Sequence, residues 1–130
     1  MSQRVALSPQ ALRALATWYP SDLLETTPFL RGSLIGRLFG AWGQAAVTVN
    51  RRVHLTPRAP TDLTSRVSIL LAAHELYHVM QQQEMGWPRF LARYIWRWRP
   101  GHVKEGWRHP LEAPAYARAD EVRRALESQS

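Results

Sequence analysis

Leu71–Gln82 has the sequence LAAHELYHVMQQ, and this stretch decides how the chain folds and what it can do. It contains the pattern H-E-x-x-H, in which His74 and His78 are four residues apart. Because helix positions i and i+4 share a face, both imidazoles can reach one metal ion. Glu75 follows the first histidine directly. Its carboxylate is therefore expected beside the metal, where a general base for a metal-bound water belongs.

The surroundings of this motif favour a helix that is largely buried. Residues 67–73 are mostly apolar, and Gln81–Gln83 follow shortly after the second histidine. Burying imidazoles, a carboxylate and amides costs free energy unless each group has a partner. The pattern is short and also occurs by chance, so the alternative is a structural helix with two hydrogen-bonded histidines.

A third metal ligand must come from elsewhere in the chain. Catalytic zinc sites usually have three protein ligands and one open position, and two histidines with a glutamate are a known set. The chain has no cysteine, so the third donor must be His, Asp or Glu. Glu112 is the predicted ligand, because a carboxylate near a helix start is rigidly held. His109 is the second choice, and Asp120 and Glu121 are the third.

Two segments together resemble a known family. Residues 71–82 are similar to the active-site helix of gluzincin metallopeptidases, and Leu111–Tyr116 is similar to the L-E-x-x-A-Y helix that carries their third ligand. The likeness extends over roughly residues 47–119 and is strongest to small bacterial domains of the minigluzincin type. One position departs from the pattern, since Tyr116 stands where gluzincins often have an aspartate that supports a ligand histidine.

The resemblance implies a zincin-like α+β fold with one zinc ion per chain. It implies a peptide or protein substrate, which would pair with a strand within residues 47–55 that lines the cleft. It also implies the roles of the site residues. Zinc would be bound by His74, His78 and Glu112, and Glu75 would be the catalytic base.

Peptide hydrolysis also needs a donor to the oxygen on which negative charge develops. Tyr94, His109 and Tyr116 are the candidates, and the sequence does not choose among them. His54 and His102 are expected to have surface or packing roles.

The bulk composition sets wider limits. The chain has 130 residues, a size that fits a single domain over residues 1–130, and its net charge of +7 favours acidic partners or anionic surfaces. Residues 1–10 show no signal-peptide pattern. The most apolar window, Leu34–Val49, is interrupted and short for a bilayer span. A cytoplasmic protein, or one released without a signal peptide, is therefore expected, and its oligomeric state stays open.

Periodicity and turn residues predict the remaining elements. Ser8 and Pro9 should start a helix that runs to about Tyr19, and residues 20–31 should be irregular with at most a short strand. Two β runs within residues 46–55 surround Asn50-Arg51. Three further helices are predicted, over residues 63–85 with Thr61 or Asp62 as cap and Gly86 as stop, over residues 88–98, and over residues 110–126, with a loop from Gly101 to His109.

Glycines recur every fourth residue at Gly32, Gly36 and Gly40. The apolar residues Leu34, Ile35, Leu38, Phe39 and Trp42 have helical spacing, so a short helix is one interpretation. For the glycines themselves, a glycine-rich turn region is favoured over a close helix-packing motif.

The helix after Gly86 carries two unlike faces. Its apolar side should be ordinary core, formed by Phe90, Leu91, Tyr94, Ile95 and Trp98. Its other side gathers Arg89, Arg93, Trp96 and Arg97. Surface stacking of arginine on tryptophan explains this face, and so does peripheral contact with an anionic membrane. Nucleic acid is not expected as a partner.

These patterns favour zinc-dependent peptide hydrolysis with Glu75 as general base. One alternative is a metal-binding scaffold without catalysis. The other is an adaptor that uses its basic surface on membranes or nucleic acid.

Overall fold

The computed structural model describes residues 2–41, 43–60, 63–103 and 105–129. These residues contain four short strands and six α-helices. The predicted α+β class is confirmed at this level. The strands are β1 (Gln3–Val5), β2 (Phe29–Arg31), β3 (Ala46–Val49) and β4 (Arg52–Leu55). The helices are α1 (Pro9–Leu15), α2 (Ser21–Thr26), α3 (Leu34–Ala41), α4 (Arg66–Met85), α5 (Trp87–Arg97) and α6 (Ala113–Ser128).

The sheet is mixed, with strand order β1-β2-β4-β3. β2 and β4 are parallel, whereas the two outer pairs are antiparallel. The two predicted β runs are confirmed, and they form a hairpin in which β3 and β4 pair around Asn50 and Arg51, whose φ angles are 51° and 61°. Two residues with positive φ give a tight turn the twist that joins antiparallel strands. This hairpin leaves β3 at the edge of the sheet, next to α4.

Helix α4 is the predicted helix that carries His74 and His78. Ser65 caps its start, where its Oγ accepts a hydrogen bond from the amide of Ser68 over 3.2 Å. The caps predicted from the sequence, Thr61 and Asp62, lie outside the described residues. Gly86 ends the helix with a φ of 83°, as expected for a residue without a side chain.

The core forms where α4 packs between the sheet and helices α1 and α6. Buried apolar residues from all these elements meet there, namely Ala11, Leu15, Val53, Leu55, Ile69, Leu76, Val79 and Val122. Helix α1 is shorter than predicted and ends at Leu15. Tyr19 is nevertheless buried, and its hydroxyl donates to the carbonyl of Ala73 on α4. Burial raises the pKa of Tyr19 well above its ordinary value, so the hydroxyl stays protonated.

The glycine-rich segment is a helix rather than a turn region, so that prediction is wrong. Gly36 and Gly40 are buried in α3, and a Cβ on Gly36 would stand 2.7 Å from the carbonyl oxygen of Leu55. The missing side chains let α3 approach the end of β4 closely. The short-helix interpretation is correct, except that Trp42 lies outside the described residues.

Two other connections are more ordered than predicted. Residues 20–31 contain β2, the short strand that the prediction allowed, and also helix α2, because Leu23, Leu24 and Phe29 are buried against the core. The predicted loop from Gly101 to His109 includes two short 3₁₀ turns, at Pro100–Val103 and Gly106–Arg108.

The observed packing of helix α5 differs in part from the prediction. Phe90 is buried and Tyr94 is partly buried, but the rest of the predicted core stripe is exposed, namely Leu91, Ile95 and Trp98. Periodicity shows that a helix is amphipathic, but it does not show which arc another element covers. The expected exposure of Trp96 is confirmed, at 79%. Among the described residues, no helix is long and apolar enough to cross a membrane.

Candidate metal centre

His74, His78 and Glu112 form a cluster at the junction of α4 with the start of α6. One ligand atom from each lies within 4.8 Å of the other two. Nε2 of His74 is 3.1 Å from Oε1 of Glu112, and Nε2 of His78 contacts the same oxygen. The two histidines share a face of α4, as their spacing predicts, and the chain returns to that face 34 residues later.

The turn before α6 brings Glu112 to this position. The amides of Glu112 and Ala113 both donate to the carbonyl of His109, over 2.9 and 2.8 Å, and Pro114 occupies the first turn of α6. Proline is tolerated there because the first-turn amides have no partner within a helix. The hydroxyl of Tyr94 donates to Oε2 of Glu112 over 3.0 Å, so α5 also holds this carboxylate.

Gln81 links the second histidine to the turn that carries Glu112. Its Nε2 donates to the carbonyl of Leu111 over 3.1 Å, which points its Oε1 at Nδ1 of His78, 2.8 Å away. An amide oxygen can only accept, so Nδ1 of His78 carries the proton. Nε2 is therefore the nitrogen available to a metal. Sequence reasoning did not assign this role, although the glutamines after His78 were a visible signal.

Glu75 contacts the sheet through its carboxylate, whose charge also contributes to the raised pKa of His78. It is buried, and its Oε2 accepts a hydrogen bond from Oγ1 of Thr48 over 2.7 Å. Gln82 strengthens this contact between α4 and the β3–β4 hairpin. Its Nε2 donates to the carbonyl of Thr48 over 2.9 Å, and its Oε1 accepts from the amide of Arg51 over 2.7 Å. Sequence reasoning missed Thr48, because nothing local marks a threonine in a short strand.

The electrostatics of the cluster favour a charged pair. Burial alone would raise the pKa of Glu112, but hydrogen bonds from His74 and His78 hold it well below its usual range. Burial would likewise lower the pKa of His78, but the hydrogen bond and charge of Glu112 outweigh burial and raise it to about 9. Without a metal, this site therefore holds an anionic carboxylate next to a protonated imidazole at neutral pH.

The structure separates the other candidate residues. His109 is fully buried, with Nδ1 accepting from the amide of Leu111 and Nε2 donating to the carbonyl of Tyr94, and burial lowers its pKa. Both of its nitrogens are thus occupied, and it stays outside the cluster. Asp120 pairs with arginines of α6, and Glu121 lies 3.7 Å from Arg118, so neither joins it.

Of the three candidate oxyanion donors, Tyr116 is the most accessible. It is 45% exposed, and its ring lies edge-on to that of His74 with 4.4 Å between centroids. Burial raises its pKa, and the negative charges of Glu112 and Glu75 act in the same direction, so its hydroxyl remains a donor. Tyr94 and His109 already use their polar atoms for Glu112 and for the main chain.

The two other histidines, His54 and His102, have the surface or packing roles expected of them. Nδ1 of His54 is 2.8 Å from Oγ of Ser33, and burial lowers the pKa of this imidazole. Nδ1 of His102 accepts from the amide of Arg99 over 2.9 Å.

The fold and the site define the class of protein as an α+β domain with a partly buried cluster of two histidines and a glutamate. Comparison with protein families gives a more specific assignment. Residues 6–86 match the eCIS core domain, where eCIS stands for extracellular contractile injection system, and the chain therefore belongs to this family. The matched region includes His74, Glu75 and His78 but ends before Glu112.

This membership corrects the family suggested by the sequence. The resemblance to gluzincins and minigluzincins was wrong, because the chain belongs to the eCIS core domain family instead. The resemblance relied on a five-residue motif and a short downstream helix, and patterns this short recur in unrelated families. No curated protein and no solved structure matches the chain significantly.

Proposed function

We propose that this protein is a zinc-dependent peptidase with a zincin-like arrangement of its active-site helix and edge strand. The observation that carries the proposal is the convergence of His74, His78 and Glu112, whose ligand atoms lie within 4.8 Å of one another. Glu75 directly follows His74 in the chain. Two imidazoles and a carboxylate are a donor set of catalytic zinc, which leaves one position open.

One of the distances between the donors fits such an ion. Zinc bonds of about 2.0–2.1 Å in a tetrahedral site put neighbouring ligand atoms about 3.3 Å apart. The separation of 3.1 Å between Nε2 of His74 and Oε1 of Glu112 is close to this value. The hydrogen bond from Gln81 to His78 provides the outer support that such histidines usually have.

Bound zinc would lower the pKa of a water molecule and polarise the substrate carbonyl. Glu75 takes the proton from the attacking water and later passes it to the leaving amine. Thr48 holds Oε2 of Glu75, which leaves Oε1 to carry the proton. Tyr116 donates to the oxygen on which negative charge develops, because its hydroxyl is protonated and accessible beside His74.

The edge strand supports a peptide as the substrate. In the described sheet β3 pairs with β4 on one side only, so its outer edge can accept an extended chain by main-chain hydrogen bonds. Thr48 lies on this strand and contacts Glu75, so a peptide paired with β3 runs past the catalytic carboxylate. The family name points to extracellular contractile injection systems, and we propose that the substrate belongs to that setting.

The test is the variant Glu75→Gln, assayed on a library of quenched fluorescent peptides. Loss of a general base should lower kcat/KM by about 10²–10⁴ while zinc content stays at one ion per chain. Glu84→Gln is the matched control, since Glu84 is exposed on the same helix, and it should leave activity unchanged.

Two results would contradict the proposal. Equal cleavage by wild type and Glu75→Gln would remove Glu75 as the base. A wild type that holds zinc but cleaves no peptide in the library would instead indicate a metal-binding scaffold without catalysis.

A further inference from the structure

Helix α5 exposes an apolar ridge to solvent. Ile95 is 67% exposed and Trp96 is 79% exposed. On one side of them, Leu91 and Trp98 also have more than a third of their surface exposed. Phe90 is the one buried residue of the helix. Large contiguous apolar exposure of this kind marks a binding surface more often than it marks ordinary surface.

Arginines line the other flank of the same ridge. Arg89, Arg93 and Arg97 are exposed, and none takes part in an ion pair among the described residues. The chain has no acidic residue between Glu84 and Glu105, so no carboxylate of this segment offsets their charge. This flank is therefore strongly positive.

The ridge is not explained by stacking of arginine on tryptophan. The described arginines that lie over aromatic rings are Arg108 and Arg118, and neither contacts Trp96. The indole of Trp96 instead forms one wall of a shallow groove of about 660 Å³. Its other walls come from α5 and from the turn before α6, namely Arg89, Ala92, Arg93, Arg97, Pro110 and Leu111.

We infer that α5 binds the surface of an anionic lipid bilayer and lies parallel to it. Ile95 and Trp96 enter the boundary between headgroups and acyl chains, which suits an aliphatic side chain and an indole. The three guanidinium groups of the groove bind lipid phosphates, because planar, charged donors match phosphate oxygens. The net charge of +7 directs the protein toward such a surface.

Charge and apolarity together select a bilayer over other acidic partners. A nucleic acid would use Arg89, Arg93 and Arg97, but it would gain nothing from Ile95 on the outermost part of the helix. Phosphates and an apolar layer occur side by side in a membrane. The residues that form this surface are different from the metal ligands, although Leu111 borders both, so the inference does not depend on the proposed peptidase activity.

Co-sedimentation of the full chain with vesicles tests the inference. Wild type should pellet with phosphatidylcholine vesicles that contain phosphatidylglycerol, and should stay in solution with phosphatidylcholine alone. Arg93→Glu and Trp96→Ala should each weaken binding to the anionic vesicles, the former by roughly tenfold. Binding should persist in the presence of a chelator and in the Glu75→Gln variant.

Two matched controls separate this surface from general charge and hydrophobicity. Arg66→Glu makes the same change of charge at the far end of α4, about 30 Å from the start of α5 by helix length. Leu34→Ala removes another exposed apolar side chain, on α3. Both should bind vesicles like wild type.

The inference is overturned if wild type does not pellet with anionic vesicles, or if Arg66→Glu weakens binding as much as Arg93→Glu does. It is also overturned if binding to duplex DNA needs Arg93 while binding to vesicles does not. Circular dichroism should show equal folding of all variants, since substitutions at exposed positions of this kind have little effect on stability.

Discussion

Oγ1 of Thr48 donates a hydrogen bond of 2.7 Å to Oε2 of Glu75, which joins the edge strand of the sheet to the residue after the first histidine. Both side chains are buried, so this bond fixes the direction of the carboxylate more firmly than a surface contact would. A position on β3 thereby controls a carboxylate on α4. Glu112 is likewise held by a distant segment, because the hydroxyl of Tyr94 donates to its Oε2.

Replacing Thr48 by valine should lower kcat/KM by about 10–100-fold, the usual effect of losing an outer hydrogen bond at such a site. Valine has nearly the same shape, so the core should remain packed, but the hydroxyl donor is lost. Zinc content should stay unchanged, because the three ligand residues keep their own contacts. Thr48→Ser should recover most of the activity. Equal kcat/KM in wild type and Thr48→Val would assign Thr48 to packing alone.

Replacing Glu112 by alanine should weaken zinc binding by more than 100-fold, since a direct ligand is lost and outer contacts account for about 10–100-fold. His109→Ala should bind zinc nearly as wild type does, although burial and two hydrogen bonds make it less stable. Competition with a fluorescent chelator measures both affinities. The opposite ranking would make His109 the third ligand, contrary to the structure.

Replacing Gln81 by alanine should lower zinc affinity about 10–100-fold, because His78 loses the acceptor that selects its tautomer. The same change frees the carbonyl of Leu111 next to Glu112. Gln83→Ala is the control, because Gln83 is exposed and lies two residues after Gln81 on the same helix. Equal affinity in the two variants would show that the tautomer of His78 is set by something else.

The stability of the metal-free protein should depend on pH through His78 and Glu112. Glu112 has a lowered pKa, so its contribution is present above its ordinary pKa of about 4.5 and is lost as pH falls below that value. His78 has a pKa raised to about 9, so its contribution is complete below about 6.5 and is lost as pH rises through 9.

Thermal unfolding of chelator-treated protein should therefore give a lower Tm at pH 9.5 than at pH 6.5, and this fall should be smaller in Glu112→Gln, because Glu112 contributes most to the raised pKa of His78. Zinc should act in the opposite direction. It needs deprotonated imidazoles, so the stabilisation that it adds should grow as pH rises. Parallel pH profiles for wild type and Glu112→Gln would show that the pair does not control stability.

The local elements follow from neighbouring residues in the chain. Ser8 and Pro9 start α1, Asn50 and Arg51 turn the β3–β4 hairpin, and Gly86 ends α4. Each of these features depends on backbone angles and on side chains within a few residues, which a sequence records directly. The pairing of His74 with His78 is local in the same sense, because one helical turn separates them.

Packing between segments that are distant in the chain could not be predicted in this way. Gly36 is needed because α3 approaches Leu55, and nothing near Gly36 in the chain indicates that contact. Ile95 and Phe90 belong to one apolar stripe, yet only Phe90 is covered, since the position of α4 decides which arc of α5 is buried. A short motif likewise suggested the wrong family.

The sequence by itself determined that α4 would present two imidazoles on one face with a carboxylate beside them, because helical geometry follows from local spacing. Only the tertiary structure decided which distant groups meet them. Glu112 reaches the histidines while His109, three residues earlier, turns both nitrogens to the main chain, and Thr48 reaches Glu75 from another element. The difference lies in the path of the chain between segments, which is set by how α4, α6 and the sheet pack together.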